Sequence, residues 1–186
     1  MLRSVRQMLP AIILLFAAPA SAQIEFSPYI GLATGDQSVE LVRPTDNFDR
    51  YAGDRLLAGF DLLFGAGQLV PVAGLAYRPT TYEESGGEDF RYDRLTLPLG
   101  FAYRLLAADF DINVVLHAAA LPGISWGDDS ASGQTLDHGL HWGARGGLTL
   151  YLGTVTLGGQ YLIDVGRSGP VGGAGTTFVV TAGGRF

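Results

Sequence analysis

The chain has 186 residues, carries 12 basic against 18 acidic side chains for a net charge of −6, and contains no cysteine. Disulfides and thiolate metal sites are therefore excluded. With no basic cluster, the footprint of a nucleic-acid partner is excluded too. Twenty-seven glycines and a charged fraction of only 16%, with almost no helix-like periodicity, point to an all-β chain.

Residues 1–22 read as a secretory signal peptide. Arg3 and Arg6 open it, Ala11–Ala18 is its apolar core, and Ala20-Ser21-Ala22 is a small-residue cleavage site. The apolar run is shorter than the roughly 20 residues that span a bilayer. The expected mature domain, 23–186, holds ten arginines against eighteen acids and no lysine.

Eight strands follow in order, each recognised by strict alternation. The first covers Ile24–Ala33, with Phe26, Ile30 and Leu32 on one face and Glu25, Ser27 and Tyr29 on the other. The second covers Arg55–Phe64 and the third Leu69–Arg78, joined by the tight turn Gly65–Gln68. The fourth, Arg94–Leu105, sets Leu97, Phe101 and Tyr103 against Pro98, Gly100 and Arg104. The fifth covers Phe110–Leu121, the sixth Gly139–Leu152 and the seventh Val155–Val165, the last two joined by Gly153-Thr154. The eighth is Thr176–Phe186. Pro71 and Pro98 fall inside these strands, where a missing donor predicts a bulge or a strand start.

Long connections (34–54, 79–93, 122–138 and 166–175) alternate with short ones. That is the pattern of an eight-stranded antiparallel up-and-down transmembrane β-barrel with its long loops at one end. The content of the two faces separates this from a soluble barrel. One face is Leu, Phe and Val; the other is Gly, Ala, Thr and Ser with isolated charges, which suits the narrow interior of eight strands. Outward aromatics form two belts. Phe26, Phe64, Phe110 and Phe186 lie near the short turns, and Tyr77, Trp142, Tyr161 and Phe178 near the long loops.

With these features the chain resembles the small eight-stranded outer-membrane proteins of Gram-negative bacteria, the OmpA and OmpX type. The resemblance covers Gln23–Phe186. Terminal Phe186, after alternating Phe178, Val180, Ala182 and Gly184, is similar to the signal such proteins present to the outer-membrane assembly machinery. Leu95-Thr96-Leu97-Pro98-Leu99, with Tyr103 following, resembles the L-x-[IL]-P-[LI] strand of PorT-like barrels. It departs from that pattern at Gly100-Phe101-Ala102, where a basic residue is often found. The resemblance implies outer-membrane lipids and lipopolysaccharide as surroundings, assembly machinery as a partner, and both termini in the periplasm.

Glu25, Asp61, Arg78, Arg104, Asp111, Arg145, Asp164 and Arg185 are expected to point inward as structural ion pairs. Turn geometry pairs Arg104 with Asp111 and Arg145 with Asp164, and the closing strands pair Glu25 with Arg185. His117, His138 and His141 gather around the third long loop with Ser125, Ser130 and Ser132, without a close His-x-Ser spacing; a His117–His141 contact is the plainer expectation. The acidic loops (Asp36, Glu40, Asp46 and Asp49; Glu83, Glu84, Glu88 and Asp89; Asp128, Asp129 and Asp137) lack EF-hand spacing. No phosphate-binding glycine loop precedes a helix, and no cofactor is expected.

The expected function is that of a non-enzymatic outer-membrane barrel with a plugged interior and a structural or surface-interaction role. The rival readings are a lipid-modifying enzyme of the lipid A deacylase or acyltransferase type and a soluble periplasmic barrel for apolar ligands. If Phe186 is the assembly signal, its deletion lowers the folded, heat-modifiable band in outer-membrane fractions; unchanged levels and assembly kinetics would count against it.

Overall fold

The computed structural model describes residues 23–35, 39–42, 48–53, 56–83, 89–106, 110–129, 134–164, 171–172 and 176–186. The predicted signal peptide lies outside them. In chain order the strands are β1 (Ile24–Gly35), β2 (Val39–Val42), β3 (Phe48–Gly53), β4 (Leu56–Phe64) and β5 (Leu69–Arg78). Next come β6 (Thr81–Glu83), β7 (Asp89–Thr96), β8 (Leu99–Arg104), β9 (Ile112–Ala120) and β10 (Gly123–Asp129). The last are β11 (Gln134–His141), β12 (Gly143–Leu152), β13 (Val155–Asp164), β14 (Val171–Gly172) and β15 (Thr176–Gly184).

Eight of these close a ring. The order β4-β1-β15-β13-β12-β9-β8-β5 returns to β4, with every pair antiparallel. Reciprocal 2.9 Å hydrogen bonds between Phe26 and Phe186 extend the β1–β15 seam to the end of the barrel. At the hairpin Gly153-Thr154, Leu152 faces Val155, and Gly153 takes φ +61°. Primed two-residue turns need that positive φ to follow the strand twist, and glycine adopts it without a Cβ clash.

The faces divide as the alternation predicts. Ile24, Ile30, Leu32, Leu148, Leu157 and Val180 are exposed, while Glu25, Arg104, Asn113, Arg145, Gln160 and Thr181 are buried. This inverts a water-soluble protein. A band of bare apolar wall around an interior that mixes buried charges with two small apolar clusters requires hydrocarbon as the outer solvent, because contiguous apolar surface of this extent is not left open to water. It also disagrees with a soluble apolar-ligand barrel, which needs the reverse arrangement. Both aromatic belts are present. Phe26, Phe110 and Phe186 are exposed at the short-turn end, and Trp142, Tyr161 and Phe178 at the other. Tyr77 stacks on Trp126 with centroids 6.3 Å apart.

Two expectations change. The regions read as long loops are partly strand: β2, β3, β6, β10, most of β11 and the start of β7 continue the sheet beyond the apolar band. Three neighbouring strands are also interrupted at one level, at Leu97-Pro98, Leu121-Pro122 and Trp142. Hydrogen bonds cross the interruptions from Leu97 N–H to Pro122 O (2.8 Å), Leu121 N–H to Gly143 O (2.8 Å) and Gly74 N–H to Pro98 O (2.9 Å). Pro98 thus ends one strand and precedes another, as expected of a residue without a donor. Pro71 instead stays inside β5 without a bulge. Leu63–Val72 is the last β4–β5 pair, so Pro71 lies just beyond that ladder and removes no hydrogen bond from it.

Placing a charge on the outer wall separates the lipid-facing reading from any other. Leu148→Arg is expected to destabilise the barrel by roughly 2–4 kcal/mol in equilibrium unfolding from lipid bilayers. The exposed turn change Gln68→Arg should stay within about 0.5 kcal/mol of the parent.

Candidate functional site: the ion-paired lumen

Among the described residues, the polar lumen is crossed at three levels. Nearest the short turns, Arg104 extends from β8 with its guanidinium almost wholly buried. Nη1 donates to Gly65 O and Gly67 O, both at 2.9 Å, and Nη2 donates to Glu25 Oε2 at 3.2 Å. Arg185 Nε lies 3.2 Å from the same carboxylate oxygen, and its guanidinium sits 5.2 Å from the Tyr151 ring centroid. One carboxylate thus serves two cations, the remainder being met by turn carbonyls and a ring face.

At the middle level Arg145 crosses from β12 to β4. Its Nη2 donates to Asp61 Oδ1 at 2.9 Å and to Oδ2 at 3.0 Å, and its Nη1 donates to the Tyr29 hydroxyl at 3.1 Å. At the upper level Asp164, on β13, gathers three side chains. Arg78 Nη2 (3.0 Å) and Arg94 Nη1 (2.8 Å) donate to Oδ2, and His141 Nε2 lies 3.0 Å from Oδ1. Arg94 also lies 5.0 Å from the Tyr92 ring centroid. The planar fork lets a guanidinium such as Arg104 or Arg145 reach several acceptors at once, which a lysine ammonium cannot reproduce in the same geometry.

Outside the lumen, on the outer wall above the band, Arg91 donates from Nε to both oxygens of Asp93 (3.2 and 3.1 Å). The Asp93 hydrogen bond, with a second to Tyr77, raises the pKa of the Arg91 guanidinium above its ordinary value.

The expected pairings are corrected in part. Glu25 and Arg185 meet. Arg104 does not meet Asp111, which is exposed below the start of β9. The turn is longer than four residues, and Asn113 closes it by bonding Leu106 N–H and O, each at 3.1 Å. Arg145 does not pair with Asp164 either. In register it faces Leu162, while Asp164 faces Gly143, and each charge finds its partner across the lumen. Asp61 and Arg78, left without partners in the sequence, take Arg145 and Asp164. Arg94 escaped notice because it sits at the first position of the predicted fourth strand. Its inward phase, shared with Arg104, was the available signal.

His117 and His141 are not in contact. His117 faces Gly147 in register, with its Nε2 3.5 Å from Thr149 Oγ1; His141 lies beyond the interruption at Trp142 and binds Asp164. Ser125 donates to Gly139 O at 3.5 Å. The side chain of His138, the residues Ser130 and Ser132, and the side chains of the loop carboxylates from Asp36 to Asp49, from Glu83 to Asp89 and from Asp128 to Asp137 lie outside the described residues. Among the described residues no group of His, Asp or Glu is arranged to hold a metal ion.

Removing Asp61 leaves Arg145 buried without its carboxylate, so Asp61→Ala is expected to cost roughly 3–5 kcal/mol in equilibrium unfolding. Asp111→Ala, at an exposed site, should change stability by no more than about 0.5 kcal/mol. Equal losses in the two variants would mean that the Arg145–Asp61 pair contributes nothing specific.

No family model and no curated protein matches the chain. Solved structures do. Neisserial surface protein A superposes with a TM-score of 0.55 at 12% identity, over 89% of this chain and 97% of that one. Ail, the attachment invasion locus protein of Yersinia pestis, crystallised in complex with the heparin analogue sucrose octasulfate, gives 0.51 at 17% identity, over 88% and 99%. The match extends over nearly the whole length of both proteins and agrees with the closed ring of strands and the inverted faces: the fold of this chain is that of the small eight-stranded outer-membrane β-barrels.

Proposed function

We propose that this chain is a closed, non-enzymatic barrel of the bacterial outer membrane, acting through its wall and outward hairpins in a structural or surface-interaction role. Both termini face the periplasm, the long connections face outward, and lipid and lipopolysaccharide surround the wall. The observation that carries this reading is the set of ion pairs that bridge the lumen among the described residues. Arginine–carboxylate contacts cross it at three levels, and the pocket between the middle and lower levels holds about 20 Å³, where a single water needs roughly 10–15 Å³. A continuous path would require separating buried pairs at a cost of roughly 3–5 kcal/mol each. Open molecules are then on the order of one in a few hundred or fewer.

His141 is engaged by Asp164, and Ser125 by a backbone carbonyl. Nucleophilic catalysis needs hydroxyl and imidazole within hydrogen-bond reach and oriented by a third group. Lipid A mass spectrometry of a deletion strain tests the lipid-modifying alternative directly: an altered acyl pattern would replace the non-enzymatic reading.

Transport is tested in planar bilayers. The purified protein is expected to give little or no steady conductance, and Asp61→Ala to give more frequent openings than the parent. Large, stable channels in the unmodified protein would overturn the closed-lumen reading.

A further inference from the structure

The upper of the three levels is not balanced in charge. Arg78 on β5 and Arg94 on β7 are direct cross-strand partners. Both point into the lumen, where they are 6% and 8% exposed. Like charges directly opposite each other in a sheet are destabilising. One carboxylate answers both: the two forks converge on a single oxygen, Asp164 Oδ2, at 3.0 and 2.8 Å. His141 occupies the other oxygen and adds no negative charge. Asp93 is next to Arg94 in the chain but belongs to the outer wall, with Arg91. Among the described residues this level therefore carries two positive charges against one negative.

The lower level has the same count and a different remedy. Arg104 sets its fork on the carbonyls of Gly65 and Gly67, and Arg185 is partly exposed and lies over the Tyr151 ring. At the upper level Arg94 lies over the Tyr92 ring, and Arg78 has no hydrogen-bond acceptor besides Asp164 among the described residues. Rings, hydroxyls and water can all take up N–H groups. None of them cancels a charge, and a charge taken out of water needs an opposite one. The nearby polar groups are hydroxyls able to donate. Ser125 faces Arg94 in register, and Thr80 lies one inward-facing step beyond Arg78; both are buried.

We propose that this end of the lumen binds a small tetrahedral oxyanion, phosphate or sulfate, between Arg78 and Arg94. A guanidinium recognises such an anion through two parallel N–H donors. Each fork here gives one terminal nitrogen to Asp164, which leaves another edge for the anion. Bound there, the oxyanion separates the two like charges and restores the balance. Chloride supplies charge but no set of oxygens to meet two planar forks. The source is a dissolved anion rather than a lipid headgroup, because both guanidinium groups lie inside the wall. The site goes beyond the structural role proposed above and does not depend on which end of the barrel faces outward.

The test uses the full barrel folded in micelles of an uncharged sugar detergent, with phosphate or sulfate replacing chloride at constant ionic strength. A saturable rise of the unfolding midpoint is expected. Saturable shifts of the Arg78 and Arg94 guanidinium nitrogens in ¹⁵N-arginine-labelled protein should accompany it. Arg94→Gln leaves Arg78 and Asp164 as a balanced pair. In chloride it should unfold at or above the midpoint of the parent, and its phosphate affinity should fall by about tenfold or more. Arg78→Gln makes the same test if the first variant does not assemble. Arg91→Gln, on the outer wall, should keep the full response. No saturable response in the parent, a response unchanged in Arg94→Gln, or shifts confined to other arginines would overturn the site. So would a large drop of the Arg94→Gln midpoint in chloride, which would mean that the second charge is already met within the protein.

Discussion

The structure depends on one exchange of solvents. Hydrocarbon outside the barrel gives apolar side chains no reason to turn inward and gives backbone polar groups nothing to bond. The ladder must therefore close on itself, and the polar groups that point inward must find partners within the lumen. Phe26 bonded to Phe186 at the seam and Arg104 bonded to the carbonyls of Gly65 and Gly67 answer the same requirement, one for the wall and the other for its contents.

That requirement explains how arginine is used. Among the described residues, three lumen carboxylates, Glu25, Asp61 and Asp164, meet five guanidinium groups. The excess is absorbed by turn carbonyls, the Tyr29 hydroxyl and the faces of Tyr92 and Tyr151. Because pairs link β12 to β4, β8 to β1, and both β5 and β7 to β13, each acts as a strut across the barrel. A strut buried this way contributes little net stability relative to an apolar filling. What it supplies is position, since only one arrangement of opposite strands lets every fork reach its acceptors.

The wall was legible in the sequence because its signal is local. Alternation along one strand says which face Leu148 or Arg145 occupies, and connection lengths say which strands are neighbours. The lumen was only partly legible. Predicted pairs followed hairpins, as if an inward charge must use the strand beside it, and this placed Asp164 opposite Arg145 when the register sets them two positions apart. In a barrel this narrow, side chains from opposite walls meet, so Asp61 reaches Arg145 although 84 residues separate them. No sequence spacing encodes that distance; barrel diameter and strand stagger do. Glu25 and Arg185 could be matched only because strand closure makes the first and last strands neighbours.

The interruptions at Pro98, Pro122 and Trp142 have a consequence for how such a protein varies. An unbroken strand transmits any change of twist or tilt along its whole length, so a longer or differently angled hairpin at its tip disturbs the pairing at its base. Three adjacent strands interrupted at one height, yet still cross-linked by backbone hydrogen bonds, behave like a carpenter's scarf joint: the parts remain fastened while each keeps its own grain. The leaf formed by β7, β10 and β11 is fastened to the staves at a few named points: these backbone bonds, the pairing of β7 with β5, and the contacts of Arg94 and His141 with Asp164. A graft that keeps those fastenings has the rest of the leaf to redraw.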